Sequence, residues 1–154
     1  LTLELMIKET TDVLSGNLSE KKIEIITELE DGITVVADKM MIKTVLQNLI
    51  SNAIKFSHEN DLITIAGDRK GDLYSISISD SGSGMTAEET DKLFKKETIL
   101  VKEGTNKEKG TGLGLLICKE YVEINGGEIY VRSVPGEGTS FTFTVPLKKE
   151  DRQG

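Results

Sequence analysis

Residues 38–56 read DKMMIKTVLQNLISNAIKF, and two patterns are superposed in them. The first is an apolar stripe, Ile42, Val45, Leu46, Leu49, Ala53 and Phe56, at the three-and-four spacing of a helix that buries one face. Asp38 stands just before it, where a carboxylate can accept from the free N–H groups of the first turn. The second pattern is polar. Asn48, Asn52 and Lys55 follow at i, i+4 and i+7, on a face distinct from the stripe. Asparagine is a weak helix-interior residue because its amide competes for backbone hydrogen bonds. Two of them stacked one turn apart need a reason. An amide oxygen is a hard, neutral ligand suited to Mg²⁺, and a lysine one turn on can meet a phosphate. Spacing alone leaves this open against a solvated helix face.

Outward from that helix the chain alternates between helical and strand patterns. Upstream, Leu3, Ile7, Thr11 and Leu14 predict a helix over 3–18. Ile23 and Ile25 alternate with polar residues, and Asp31-Gly32 turns the chain into ITVV, which reads as a hairpin of two short strands. Downstream, LITIAGD and LYSISIS read as strands joined near Arg69–Gly71. A short helix is expected from about Ala87 to Phe94, and another from about Leu113 to Ile124, stopped by Gly126-Gly127. EIYVRS and TSFTFTVP close the chain as two more strands around a PGEG turn, and KKEDRQG reads as a frayed tail. Strand pairs joined by short turns, with helices between them, predict a two-layer α/β sandwich: a mixed, largely antiparallel sheet with helices on one face.

Composition excludes several alternatives. The chain has 154 residues, 19 Lys+Arg against 26 Asp+Glu, and a net charge of −7. That length suits one domain. We therefore expect a single domain over 1–154, with its core at about 3–147 and a tail at 148–154. An acidic chain lacks the basic surface that nonspecific nucleic-acid binding or docking on an anionic membrane needs, so neither partner is expected. One cysteine excludes an internal disulfide framework and any Cys-rich zinc site. No run approaches the ~18 apolar residues of a membrane span, and the acidic, amphipathic start is not a signal peptide. Six of the fifteen glycines fall between Gly82 and Gly114, a concentration that usually means backbone approaching a ligand.

Two further stretches carry chemistry. In 73–79, Tyr74, Ile76 and Ile78 face one way, and Asp80 continues that row. A carboxylate there must find donors or stay costly to bury. Beside Ser81, Gly82, Ser83 and Gly84 it could receive an exocyclic amine, although on its own an Asp-Ser-Gly most simply closes an Asx turn. Gly110-Thr111-Gly112-Leu113-Gly114-Leu115 ends a long aperiodic stretch and opens a helix, where N–H groups and the dipole can face phosphates. It is neither a Walker loop nor a Rossmann fingerprint.

Taken together, Asn48 to Phe56, Asp80-Ser-Gly82-Ser-Gly84-Met85, Leu93-Phe94 and Gly110 to Leu115 resemble, in order, the N, G1, F and G2 boxes of the sensor histidine kinase catalytic domain. Gly138-Thr139-Ser-Phe141-Thr-Phe143-Thr-Val-Pro146-Leu147 resembles that family's last strand. The resemblance covers nearly the whole chain. It implies the Bergerat ATP-binding fold shared with gyrase, MutL and a class of heat-shock chaperone, with ATP and Mg²⁺ as cofactors. By resemblance Asn52 is the metal ligand and Asn48 the asparagine one turn before it. Lys55 reaches phosphate, and these three form the catalytic group. Phe56 stacks near adenine, with an ordinary core role as the alternative. Asp80 accepts from the adenine amino group, Gly82 and Gly84 shape its pocket, and Thr139 helps hold it. Leu93 and Phe94 belong to the F box. Gly110, Thr111, Gly112, Leu113, Gly114 and Leu115 close over phosphates at the end of a lid spanning 95–111, where Lys109 is one of several lysines able to replace the family's usual arginine.

Asn48 also bears on the reaction. Gyrase-like relatives place a water-activating glutamate there, and an amide cannot act as a general base. Phosphoryl transfer to another side chain is then favoured over hydrolysis. The expected function is the cytoplasmic catalytic domain of a two-component kinase, whose full-length protein is left open to membrane anchoring. It would deliver the γ-phosphoryl to a histidine on a separate dimerisation domain of the same protein, and so indirectly serve a response regulator. A serine or threonine kinase of the same fold and a non-catalytic nucleotide-binding module remain the alternatives. Ser57-His58-Glu59 mimics a phosphoacceptor motif, but Asn60-Asp61-Leu62 does not continue it, so His58 is read as a surface-loop residue. Cys118 is read as a small packed hydrophobe. The segment 92–109 holds six lysines against three glutamates, so it is locally basic within an acidic chain.

Overall fold

The computed structural model describes residues 1–93 and 114–151. Phe94, Lys109, Gly110, Thr111, Gly112, Leu113 and the rest of the segment 95–111 lie outside them. The helices are α1 (Leu3–Val13), α2 (Ser15–Lys21), α3 (Lys39–Phe56), α4 (Ala87–Lys92) and α5 (Gly114–Ile124). The strands are β1 (Glu24–Glu28), β2 (Leu62–Lys70), β3 (Leu73–Asp80), β4 (Ile129–Val134) and β5 (Gly138–Pro146). They form one five-stranded sheet in the order β1-β2-β3-β5-β4. Within it β1 and β2 run parallel, and the other three pairings are antiparallel. The expected mixed, largely antiparallel sheet with helices is therefore what the chain forms.

The core follows from alternation. Tyr74, Ile76 and Ile78 of β3, Phe141, Phe143 and Val145 of β5, and Ile63 and Ile65 of β2 all turn inward and are buried. They meet Ile42, Val45, Leu46, Leu49, Ile50, Ala53 and Ile54 of α3. The opposite face of β3 and β5 is lined by hydroxyls that bond across the ladder, Ser77 to Thr142 at 2.8 Å and Ser79 to Ser140 at 2.9 Å. This split explains how so few aromatic residues suffice: one apolar face is shared by the sheet and α3.

Two expectations need correction. The predicted helix over 3–18 is broken at Leu14 into α1 and α2, and the buried threonine is Thr10, not Thr11. The hairpin read into residues 23–36 does not form. Gly32 does turn the chain with φ +75°, but ITVV makes only single bridges, Thr34 to Thr2 and Val35 to Leu147. The partner of β1 is β2, with Glu24 opposite Leu62 and Glu28 opposite Ala66. Pairing with β2, and the bridges that ITVV makes to Thr2 and Leu147, override the local turn signal.

Candidate functional site

The site gathers around α3. Asp38 caps its start as expected, accepting from Met41 N at 2.9 Å. From the far side Asn125 accepts from Asp38 N at 2.8 Å and donates to Tyr121 O at 2.7 Å, so the end of α5 is tied to the start of α3. Asn48, Asn52, Lys55 and Phe56 are all half-buried, one face of the helix kept out of the core. Phe56 is thus not the core residue its place in the stripe allowed, and Lys55 Nζ lies 5.1 Å from its ring centroid. Asn48 faces the first turn of α5. A Cβ on Gly114 would come 3.1 Å from Asn48 Oδ1, a tight approach that a larger residue could make only by shifting the Asn48 side chain. The Cys118 thiol, fully buried, is hydrogen-bonded to Asn48. Burial pushes that thiol up to about 12, which fits a packed hydrophobe and not a reactive thiolate. Leu115 packs against the core from the same turn, and Leu93 is buried after α4.

Asp80 ends β3 opposite Thr139 of β5. Its Oδ1 accepts from Gly82 N at 2.9 Å, the Asx turn the sequence allowed, and the Thr139 backbone N–H also donates to it. Burial raises the Asp80 carboxyl above the ordinary range; the two N–H donors and His58 act against this, and Asp61 adds to it. The glycines beside it have a cause within the protein. A Cβ on Gly82 would run into the Phe56 carbonyl, and one on Gly84, whose φ is +69°, into the Val134 carbonyl. Ser83 N donates to the same Phe56 oxygen at 3.1 Å, so the loop after β3 is bound to the end of α3.

Thr139 is buried on the inward face, and the residue that orients it, Ser133, was missed from the sequence. Ser133 Oγ donates to Gly138 O at 2.9 Å and accepts from Met85 N at 2.8 Å. Its single proton is thereby used. In the 2.7 Å contact between Ser133 Oγ and Thr139 Oγ1 the threonine must then donate, leaving its hydroxyl only lone pairs to offer elsewhere. Asp80 and Thr139 thus offer two neighbouring acceptors, a pattern that suits a ligand amine and repels a ligand carbonyl. The available signal was parity: Ser133 sits in the inward row of Ile129 and Val131, where a hydroxyl needs a partner.

For a metal, the donor set is equally specific. Among the described residues no group of three or more His, Cys, Asp or Glu converges to hold an ion. The amides of Asn48 and Asn52 fit a Mg²⁺ that arrives already bound to phosphates and needs only one or two protein oxygens. His58 is 59% exposed in its side chain, pairs with Asp61 at 3.5 Å, and behaves as a loop residue. Nor is any helix among the described residues long and apolar enough to cross a membrane.

Comparison with known proteins agrees with this geometry. The sensor histidine kinase WalK of Bacillus subtilis is 40% identical over 134 residues, covering 85% of this chain and 22% of its own length. The adaptive-response sensory kinase SasA of Prochlorococcus marinus is 38% identical over 149 residues, covering 86% of this chain and 39% of its own. The chain therefore spans between about a fifth and two fifths of these relatives. A nucleotide-free catalytic domain of the histidine kinase ThkA superposes with a TM-score of 0.82 at 30% identity, over 99% of this chain and 97% of that one. A model of the histidine kinase-, DNA gyrase B- and HSP90-like ATPases matches residues 37–149, from just before α3 to just past β5. With strands β2 to β5, the asparagine-bearing helix and the Asp80 loop inside that span, the chain belongs to the histidine kinase-, DNA gyrase B- and HSP90-like ATPase family.

Proposed function

We propose that the chain is a single cytoplasmic domain that binds Mg²⁺-ATP and delivers the γ-phosphoryl group to a histidine on a separate dimerisation domain of a two-component sensor kinase. The observation that carries the choice within the family is Asn48. It occupies the α3 face beside the first turn of α5, and an amide there cannot take a proton from water. Kinship to sensor kinases at up to 40% identity supports the same branch.

Asp80 and Thr139 would select adenine by accepting from its amino group, with Phe56 against the ring. Asn52, helped by Asn48, would hold the metal, whose charge when bound offsets that of the phosphates. Lys55 would orient the phosphate chain, and Leu93, Phe94, Lys109, Gly110, Thr111, Gly112, Leu113, Gly114 and Leu115 would enclose it. Catalysis in such a transfer is mostly positioning and charge stabilisation. A response regulator would receive the phosphoryl group later, from the acceptor histidine.

The test supplies the chain with a matching dimerisation domain and γ-labelled ATP. Acid-labile, alkali-stable label on that domain is expected. Acid-stable label would point to a serine or threonine kinase, and no transfer despite tight nucleotide binding would sink the kinase reading.

A further inference from the structure

We propose that Lys21 is a positioning residue for the nucleotide site, holding the last turn of α3 in register with the Asp80 loop. This rests on the roles proposed for Lys55 and Asp80.

Lys21 lies far from both in sequence and is only 4% exposed. Its Nζ donates to Ile54 O at 3.0 Å, Lys55 O at 3.0 Å and Ser57 O at 3.1 Å. Three acceptors match the three N–H groups of an ammonium. A helix leaves its last four carbonyls without intrahelical partners, and here a buried cation from another helix takes up that turn. The backbone ties Lys21 to the same place: Lys21 O accepts from Asn60 N at 3.0 Å, in the loop leaving α3, where Asn60 has φ +67°.

The turn that Lys21 holds has two duties. It carries Lys55, and it presents the Phe56 carbonyl, which receives Ser83 N and leaves no space for a Cβ on Gly82. Gly82 N in turn donates to Asp80. A continuous set of bonds therefore runs from Lys21 through the end of α3 to the carboxylate that would read the base. Charge acts in the same direction. A helix C-terminus carries roughly half a negative charge, a poor neighbour for a triphosphate, and the Lys21 ammonium reverses its sign.

Lys21→Met keeps the apolar stem and removes the amine. Its test is nucleotide affinity at low temperature, with circular dichroism used to check that each variant of the 154-residue chain is folded. Ile33→Ala serves as a control of comparable instability, since Ile33 is buried against α1 away from the site. Affinity for Mg²⁺-ATP should fall at least tenfold in Lys21→Met and stay within twofold in Ile33→Ala. Without ligand, the Gly82 and Ser83 amide resonances should move in Lys21→Met alone. Lys21→Gln, which retains an N–H donor on a shorter side chain, is measured in parallel so that failure of Lys21→Met to fold leaves the test intact; it should lose affinity as well. Unchanged affinity in a folded Lys21 variant overturns the proposal, as does an equal loss in Ile33→Ala. Absence of binding by the unmutated chain would overturn the nucleotide reading itself, a distinct result.

Discussion

The two ends of α3 solve the same problem in opposite ways. At the start, Asp38 and Asn125 satisfy N–H groups at the surface, in short bonds that water could replace. At the end, a buried ammonium from α2 and the Ser57 hydroxyl, which donates to Ala53 O at 2.6 Å, satisfy carbonyls that water does not reach. An exposed cap adds stability in small increments. A buried one is required, because removing it strands acceptors in the interior. The residues proposed for the nucleotide site, Asn52, Lys55 and Phe56, sit nearer the second end.

The largest stability effect should therefore come from Lys21→Met. Hydrogen bonds to charged groups contribute about 1.5–3 kcal/mol, and stranded carbonyls add to the loss, so a cost of about 3 kcal/mol is expected in urea denaturation. A loss under about 1 kcal/mol would erase the contrast between the two ends. Asp38→Ala should cost about 1 kcal/mol in the same assay, the usual value of an exposed N-cap.

Asp80→Asn should go the other way. The folded Asp80 carboxyl titrates above its ordinary value of 3.8, so its ionised form is disfavoured by folding. Stability from this group is present below that value and lost as pH rises through the raised one. The asparagine variant should melt slightly above the parent at neutral pH, with the advantage vanishing on acidification below 3.8. It should also lose preference for ATP over GTP, because an amide presents a donor where the parent has only acceptors. Asn52→Ala should change stability least, within about 0.5 kcal/mol for a half-buried surface position. Calorimetric titration should nonetheless show its Mg²⁺-dependent nucleotide affinity gone.

What the sequence revealed follows the same division between local and distant. Asp38, the α3 stripe, the turn at Gly71 between β2 and β3 and the stop at Gly126 are each set by neighbouring residues, and each was legible. The pairing of β1 was not. Asp31-Gly32 is a real turn, but β1 joins β2, more than thirty residues on, and no local pattern announces that partner. Of the proposed site, Asn48, Asn52, Asp80, Gly82, Gly84 and Thr139 stood out as motifs, and the structure brings Asp80 and Thr139 side by side. Lys21 did not stand out because its acceptors are distant in the chain, and Ser133 did not because its role needs both the β4–β5 pairing that sets it beside Thr139 and the distant Met85 N–H. Lys21 left one trace: it follows Leu14 and Leu18 at i+7 and i+3, a lysine on an apolar stripe.

The parallel pairing of β1 with β2 has a kinetic consequence. Antiparallel β2 and β3 meet across a short turn and can form early, whereas Glu24 reaches Leu62 only after the whole of α3 has been placed between them. Lys21 shortly precedes β1, and its acceptors shortly precede β2, so its three bonds close in the same late step. Interactions absent from the folding transition state act on the unfolding rate. Lys21→Met should thus accelerate unfolding and leave the folding limb of the chevron almost unmoved. In the folded protein Lys21 then acts as a latch: it sets how long the nucleotide helix stays closed on its sheet, while other residues decide how quickly it arrives.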